Sequence, residues 1–142
     1  MTALSLSQLQ AGYDPDLPIV KGVSFTVKKG EAVCILGPNG AGKSTMIKAI
    51  AGLVPCFGGQ VRLGETDVTG LPSHLLARNG MGFVPQTENI FTRLSIIENL
   101  QIAAQLLPKH ERAGRIEAML DMFPDLAARP RELAGALSGG QR

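Results

Sequence analysis

The chain has 142 residues, 44% of them apolar and 18% charged, a balance typical of one soluble domain with its own core. Fourteen basic residues against twelve acidic ones leave a net charge of +2, too small to favour nucleic acid or an anionic membrane as partner. The amino terminus lacks the features of a signal peptide, and no apolar run reaches the ~18–20 residues of a membrane span, so we expect a cytoplasmic protein. Cys34 and Cys56 have no Cys or His nearby and do not indicate a metal site.

The first third of the chain predicts β-strands. Residues 4–10 (LSLSQLQ) alternate apolar and polar side chains, and residues 18–27 (PIVKGVSFTV) are rich in β-branched residues and end at a turn. Residues 31–37 (EAVCILG) form a continuous apolar run, which is typical of a strand buried on both faces.

The spacing of apolar residues then changes from that of a strand to that of a helix, and later back again. A helix is predicted from apolar residues at helical spacing, namely Met46, Ile47, Ile50 and Leu53. Residues 58–68 predict a short hairpin that turns near Gly64, and residues 72–80 predict a short helix. Residues 81–86 (MGFVPQ) predict a second buried strand that ends at Gln86.

From Ser95 onward the pattern is helical. Ser95 and Glu98 form a capping-box pattern, followed by one apolar stripe of Ile96, Ile97, Leu100, Ala104 and Leu107. Pro108 ends this helix, and a second amphipathic helix carries Ile116, Met119, Leu120 and Phe123 on one face. A polar connector, residues 124–133, leads to LSGGQR at residues 137–142.

One motif carries phosphate chemistry. The pattern G-x-x-x-x-G-K-[ST] is matched at every defined position by Gly37, Pro38, Asn39, Gly40, Ala41, Gly42, Lys43 and Ser44. The glycines let successive backbone N–H groups point inward, Lys43 supplies a positive charge for the β- and γ-phosphates, and Ser44 offers a hydroxyl to Mg²⁺. The alternative is a glycine-rich turn that binds nothing, but the flanking strand and helix favour a P-loop that binds a nucleoside triphosphate.

The P-loop, Gln86 and LSGGQR together resemble the ABC-type ATPases, whose signature is LSGGQ. The resemblance implies ATP and Mg²⁺ as cofactors, catalytic roles for Lys43 and Gln86, and metal contacts from Ser44 and Gln86. Tyr13 stands where the family has an aromatic residue that stacks on adenine. The implied nucleotide-binding residues are Tyr13, the P-loop from Gly37 to Ser44, Thr45, and Ser138, Gly139 and Gly140 of the signature.

The resemblance also implies a fold. It is an α/β P-loop NTPase core of the ABC type, with a small antiparallel β subdomain and a helical subdomain, and with the C-terminal strands of the core absent. Residues 1–142 would then be a single, incomplete ABC ATPase domain. Its parts would be the P-loop core with the antiparallel strands (residues 1–94), the helical subdomain (95–136) and the signature (137–142).

Partners and location follow from the same resemblance. In the family, two ATPase subunits pair head to tail, as a homo- or heterodimer, and the Ser-Gly-Gly loop of one closes over the γ-phosphate held by the other. The implied partners are therefore a second ABC ATPase subunit, transmembrane permease subunits and, indirectly, a periplasmic or extracellular solute-binding protein, but no nucleic acid. The expected location is the cytoplasmic face of the cell membrane, as a peripheral subunit.

Three softer stretches, at residues 67–86, 88–100 and 123–140, look like the importers of branched-chain and other hydrophobic amino acids. Importers of urea or amides are an alternative, and Gln86 stands where many amino-acid members have Glu. An ABC ATPase of DNA repair or translation is a weaker alternative, because the middle of the chain is importer-like and there is one cassette.

The family also has an Asp-Glu pair and a His after the signature, and residues 1–142 contain neither. We therefore expect this chain to be the front portion of an importer ATPase, without turnover of its own and with unpaired sheet edges. A non-hydrolysing module that binds nucleotide or docks on a partner is the alternative.

Overall fold

The computed structural model describes residues 1–141, which divide into two compact units, Met1–Phe83 and a second unit that begins at Val84. The first unit contains β1 (Thr2–Ala11), β2 (Val20–Lys28), α1 (Lys43–Ile50), β3 (Cys56–Leu63), β4 (Thr66–Asp67) and α2 (Ser73–Arg78). The second contains α3 (Ile96–Ala103), α4 (Lys109–Met122) and α5 (Pro124–Ala127), with 3₁₀ turns at Ala104–Leu106 and Ala134–Ala136. No helix within residues 1–141 is long and apolar enough to cross a membrane.

An antiparallel sheet of four strands, in the order β2-β1-β3-β4, forms the first unit. The predicted hairpin is confirmed as β3 and β4, with Leu63 paired to Thr66 around the turn at Gly64. The helices α1 and α2 bury Met46, Ala49 and Leu76 in the same apolar cluster as Leu6, Leu9 and Val61 of the sheet. Of the apolar stripe predicted for α1, Met46 and Ile50 pack in this cluster and hold the helix that follows the P-loop. Ile47 and Leu53 of the same predicted stripe are instead 40% and 50% exposed.

A smaller apolar cluster holds the second unit together. Ile96, Ala134 and Leu137 are buried in it, with Ile90, Leu100 and Leu126 around them. The predicted capping box at the start of α3 is confirmed, because the Ser95 hydroxyl accepts a hydrogen bond from Glu98 N at 3.3 Å and Ser95 N donates to Glu98 Oε2 at 2.8 Å. Ser95 is only 8% exposed, so this cap lies inside the packed part of the unit.

The apolar face predicted for α4 packs less closely than expected. No residue of this helix is buried, and Phe123 at its end is half exposed. Met119, Leu120 and Phe123 instead line an open cavity of about 490 Å³. The connector predicted for residues 124–133 also contains the short helix α5, which begins with Pro124 at its first position, where a missing N–H costs no hydrogen bond.

Two predicted buried strands, residues 31–37 and 81–86, are wrong as local assignments. Neither segment is a strand, and Leu36 and Val84 are 85% and 79% exposed. A strand requires a neighbour to pair with, and between residues 32 and 36, and again between 82 and 86, the backbone makes no hydrogen bond to another described residue. Both segments are therefore irregular and largely exposed, and Cys34, expected to be buried, is exposed.

Candidate nucleotide-binding site

The P-loop between residues 37 and 42 curls into a compact turn. Ala41 N donates to Pro38 O at 3.2 Å, and Gly40 and Gly42 both have φ at 85°. This left-handed conformation brings a Cβ close to the following carbonyl oxygen, so a residue with a side chain adopts it at a cost. Glycines at these two positions let the loop close on itself.

Lys43, the first residue of α1, returns its side chain to the loop. Its Nζ donates to Gly37 O and to Pro38 O, each at 2.7 Å. Two short hydrogen bonds to carbonyl oxygens fix the ammonium group above the turn. A positive charge is thus held where the motif predicts contact with phosphate.

Besides the charge of Lys43, the start of α1 provides unpaired backbone N–H donors. Gly42 is the N-cap and provides no side-chain cap, and the amide N–H groups from Gly42 to Thr45 have no acceptor within residues 1–141. The partial positive charge of a helix N-terminus and these free N–H groups favour an anion. Ser44, in the first turn, is exposed, and its hydroxyl is an oxygen ligand of the kind that Mg²⁺ prefers.

The loop that carries Tyr13 lies beside the P-loop. Ile19, at the end of this loop, packs so closely on Gly42 that a Cβ there would be 3.1 Å from Ile19 Cγ2. Gly12 N, next to Tyr13, donates to Pro55 O at 3.3 Å and fixes the start of the loop. Tyr13 itself is 65% exposed, so its ring is free to stack on a base. Ile19 could not be recognised from the sequence, because a β-branched residue before a strand carries no signal beyond strand propensity.

The remaining predicted site residues belong to the second unit. Gln86 is exposed and lies in an irregular segment, not at the end of a strand. The signature forms a closed turn, in which Ser138 N and Ser138 Oγ both donate to Gln141 Oε1 at 3.1 Å, and Gln141 N donates to Ser138 O at 3.0 Å.

This turn has the S-x-x-Q spacing of a capping box, a sequence signal for Gln141 that was missed. Gly139 and Gly140 are exposed, and a Cβ on either would have open space around it, so another molecule could approach their backbone closely. Arg142, the last residue of LSGGQR, lies outside the described residues. Within residues 1–141 no cluster of three His, Cys, Asp or Glu side chains could hold a metal ion.

Residues 20–142 match the family described as ABC transporter. The chain belongs to the ABC transporter family. It is 44% identical over 135 residues to the probable branched-chain amino acid transport ATP-binding protein LivF of Archaeoglobus fulgidus, covering 95% of this chain and 57% of the relative. It is 39% identical to the lipopolysaccharide export system ATP-binding protein LptB of Escherichia coli K12, covering 100% and 58%. BraG of Pseudomonas aeruginosa, a high-affinity branched-chain amino acid transport ATP-binding protein, is 36% identical, covering 92% and 56%.

The fold is similar to that of solved ABC cassettes. The ADP conformation of an ATP-binding cassette of an ABC transporter superposes with a TM-score of 0.80 at 28% identity, covering 99% of this chain and 61% of that one. A dimeric cassette in a post-hydrolysis state with ADP and Pi gives a TM-score of 0.76 at 27% identity, covering 97% and 64%. The chain thus spans somewhat more than half the length of these relatives. The predicted ABC-type fold is confirmed.

Proposed function

We propose that the chain is the ATP-binding part of an ABC transporter subunit, and that its P-loop holds the phosphates of ATP together with Mg²⁺. The observation that most supports this proposal is the position of Lys43, whose ammonium group lies over the loop carbonyls next to unpaired amides. Ser44 would provide a hydroxyl ligand to Mg²⁺, and Gln86 would contact the ion and the attacking water. Bound Mg²⁺ would neutralise charge that develops on the phosphates during hydrolysis.

The other site residues complete the proposal. Tyr13 would stack on the adenine ring from the loop beside the P-loop. Ser138, Gly139 and Gly140 would close over the γ-phosphate held by a second ATPase subunit, which requires a head-to-tail dimer. The dimeric cassette among the structural neighbours supports this arrangement. Permease subunits would tie the pair to the cytoplasmic face of the membrane.

For the transported solute, we propose branched-chain or other hydrophobic amino acids, brought to the permease by a solute-binding protein outside the membrane. LivF at 44% identity and BraG at 36% support this choice. Export of a lipid-linked solute is a second candidate, because the lipopolysaccharide exporter subunit LptB is 39% identical over the whole chain. Urea and amides remain substrates that uptake assays should include.

Binding is tested with the chain itself and a fluorescent ATP analogue in the presence of Mg²⁺. Lys43→Ala should lower affinity roughly ten- to hundredfold, since it removes charge-assisted hydrogen bonds to phosphate. Lys48→Ala is the matched control, because Lys48 is an exposed lysine in the last turn of the same helix. Equal affinities for the two variants would contradict the P-loop assignment.

Transport is tested in cells that lack the natural subunit containing this chain. Uptake of labelled leucine, valine and isoleucine should return with the wild-type subunit and with Lys48→Ala, but not with Lys43→Ala. Unchanged amino-acid uptake in the deletion strain, together with a loss of lipid export, would favour the exporter role.

A further inference from the structure

The segment that follows Gln86 and the segment that precedes the signature are hydrogen-bonded to each other. Gly135 N donates to Thr92 O at 3.0 Å and Ala134 N to Leu94 O at 2.9 Å. Ser95 and Leu133 form an antiparallel bridge in the middle. On its other side, Ile96 N donates to Glu132 O at 3.0 Å and Ile97 N to Pro130 O at 2.9 Å. We call these four backbone hydrogen bonds, between residues 92–97 and 130–135, the ladder.

The side chain of Asn99 binds the first segment of the ladder to α3. Asn99 Oδ1 accepts from Phe91 N at 2.8 Å, and Asn99 Nδ2 donates to Phe91 O at 3.0 Å and to Ser95 O at 2.9 Å. An amide has one acceptor and two donor hydrogens, so these three bonds use both ends of the side chain. Asn99 therefore fixes residues 91–95 from a position one helical turn further along.

The second segment of the ladder, residues 130–135, leads directly into the signature. Gly135 lies three residues before Ser138, and a Cβ on Gly135 would be 2.8 Å from Thr92 O, so the two segments are in close contact there. Leu137, between them, is buried in the cluster with Ile96 and Ala134. Any displacement of residues 91–95 is thus passed to the residues that hold Ser138.

We propose that Asn99 is a positioning residue for the signature loop. Through the ladder, its amide determines where Ser138 is presented, although Asn99 lies outside the P-loop and the signature. This inference rests on the proposed function, in which Ser138 acts on the nucleotide of a second subunit. It predicts that Asn99 affects turnover and leaves ATP binding at the P-loop unchanged.

The first test is amide hydrogen exchange on the chain. Asn99→Ala should speed exchange of the Ala134 and Gly135 amides roughly tenfold, because the carbonyls that hold them lose their anchor. Asn99→Asp should behave similarly, since a carboxylate would face the carbonyl oxygens of Phe91 and Ser95. Gln101→Ala, an exposed change on the same helix, should alter neither amide. Unchanged exchange at 134 and 135 in Asn99→Ala would overturn the proposal.

The second test is ATP hydrolysis by the subunit as the cell makes it, purified with its membrane partners. With kcat calculated per ATP-binding site, so that loss of folded subunit does not lower it, Asn99→Ala should lower kcat about tenfold and leave KM for ATP within about twofold. Gly135→Ala should give the same split, because its methyl group would press on Thr92 O. Gly114→Ala, with open space in α4, is the matched control.

Faster exchange with an unchanged kcat would show that the ladder does not position the signature and would overturn the proposal. A wild-type subunit without ATPase activity would contradict the proposed function, while the exchange result would still decide whether Asn99 fixes residues 130–135.

Discussion

Replacing Gly52 by alanine should destabilise the first unit more than the same change at Gly80, although the two glycines end their helices in the same way. Gly52 follows α1 with φ at 69°, and Gly80 follows α2 with φ at 87°. The amide after each glycine closes the same motif, from Leu53 N to Lys48 O at 2.8 Å and from Met81 N to Leu76 O at 3.1 Å. Comparing the Gly52→Ala and Gly80→Ala variants therefore distinguishes the cost of backbone strain from the cost of steric crowding.

Strain is common to both positions, and crowding occurs at one. A Cβ in the left-handed conformation costs about 1–2 kcal/mol at either glycine. At Gly52 the new Cβ would also be 2.2 Å from Leu71 O, a backbone atom, whereas at Gly80 it would meet nothing within 4 Å. Moving the backbone at Leu71 adds about 1–3 kcal/mol, as other overpacked sites do. We expect losses of about 2–5 kcal/mol for Gly52→Ala and about 1–2 kcal/mol for Gly80→Ala.

The measurement is native-state hydrogen exchange of the most protected amides of β1, which reports the free energy of the unfolding that exposes these amides. Amides of α3 in the second unit serve as an internal reference and should be unchanged in both variants. Equal losses for the two variants would refute the reasoning, because crowding at Leu71 would then contribute nothing.

Three further predictions concern a helix cap, a surface carboxylate and the two thiols. Ser95→Ala should destabilise the second unit by about 1 kcal/mol, measured by hydrogen exchange in α3. Ser73→Ala, at the start of α2 in the first unit and without a side-chain cap, should leave the stability of the first unit unchanged. Hydrogen bonds from the side chain and then the backbone of Thr69, with a further one from Gln60, lower the pKa of Asp67 from 3.8 to about 2. Because the pKa is lowered on folding, this contribution to hairpin stability is present above pH 4 and is lost as the pH falls through 2, and Asp67→Asn should remove that dependence in acid unfolding curves. Iodoacetamide should modify Cys34 before Cys56, as peptide mass mapping would detect, because Cys34 is exposed and burial raises the pKa of the Cys56 thiol; faster modification of Cys56 would contradict this order.

Local signals predicted the parts of the fold that depend on nearby residues. The capping box at Ser95 and the hairpin at Gly64 need only a few neighbouring side chains, and both are confirmed. The apolar runs at residues 31–37 and 81–86 carry an equally clear signal, yet they form no strand in this chain. An apolar pattern indicates a preference for burial. Strand pairing also depends on partner strands, which the sequence of a single segment does not encode.

The residues of the candidate site likewise fall into those that the sequence predicted and those that only the folded chain reveals. The P-loop motif specified Lys43 and the glycines because each position has a fixed chemical requirement. Ile19 and Asn99 were missed, since their roles arise from contacts with Gly42 and Phe91 that only the folded chain brings about. Gln141 is intermediate, because its spacing from Ser138 was visible as a capping pattern.

Contacts between residues close together in the sequence determine the geometry of the P-loop in this chain. Its defining contacts join Lys43 to Gly37, six residues away, Ala41 to Pro38, and Met46 N to Gly42 O. The segment before it has no strand partner within residues 1–141, so the loop is supported from the helix side, where Met46 is buried in the core. The proposed phosphate site therefore depends on contacts that the chain makes within a few residues.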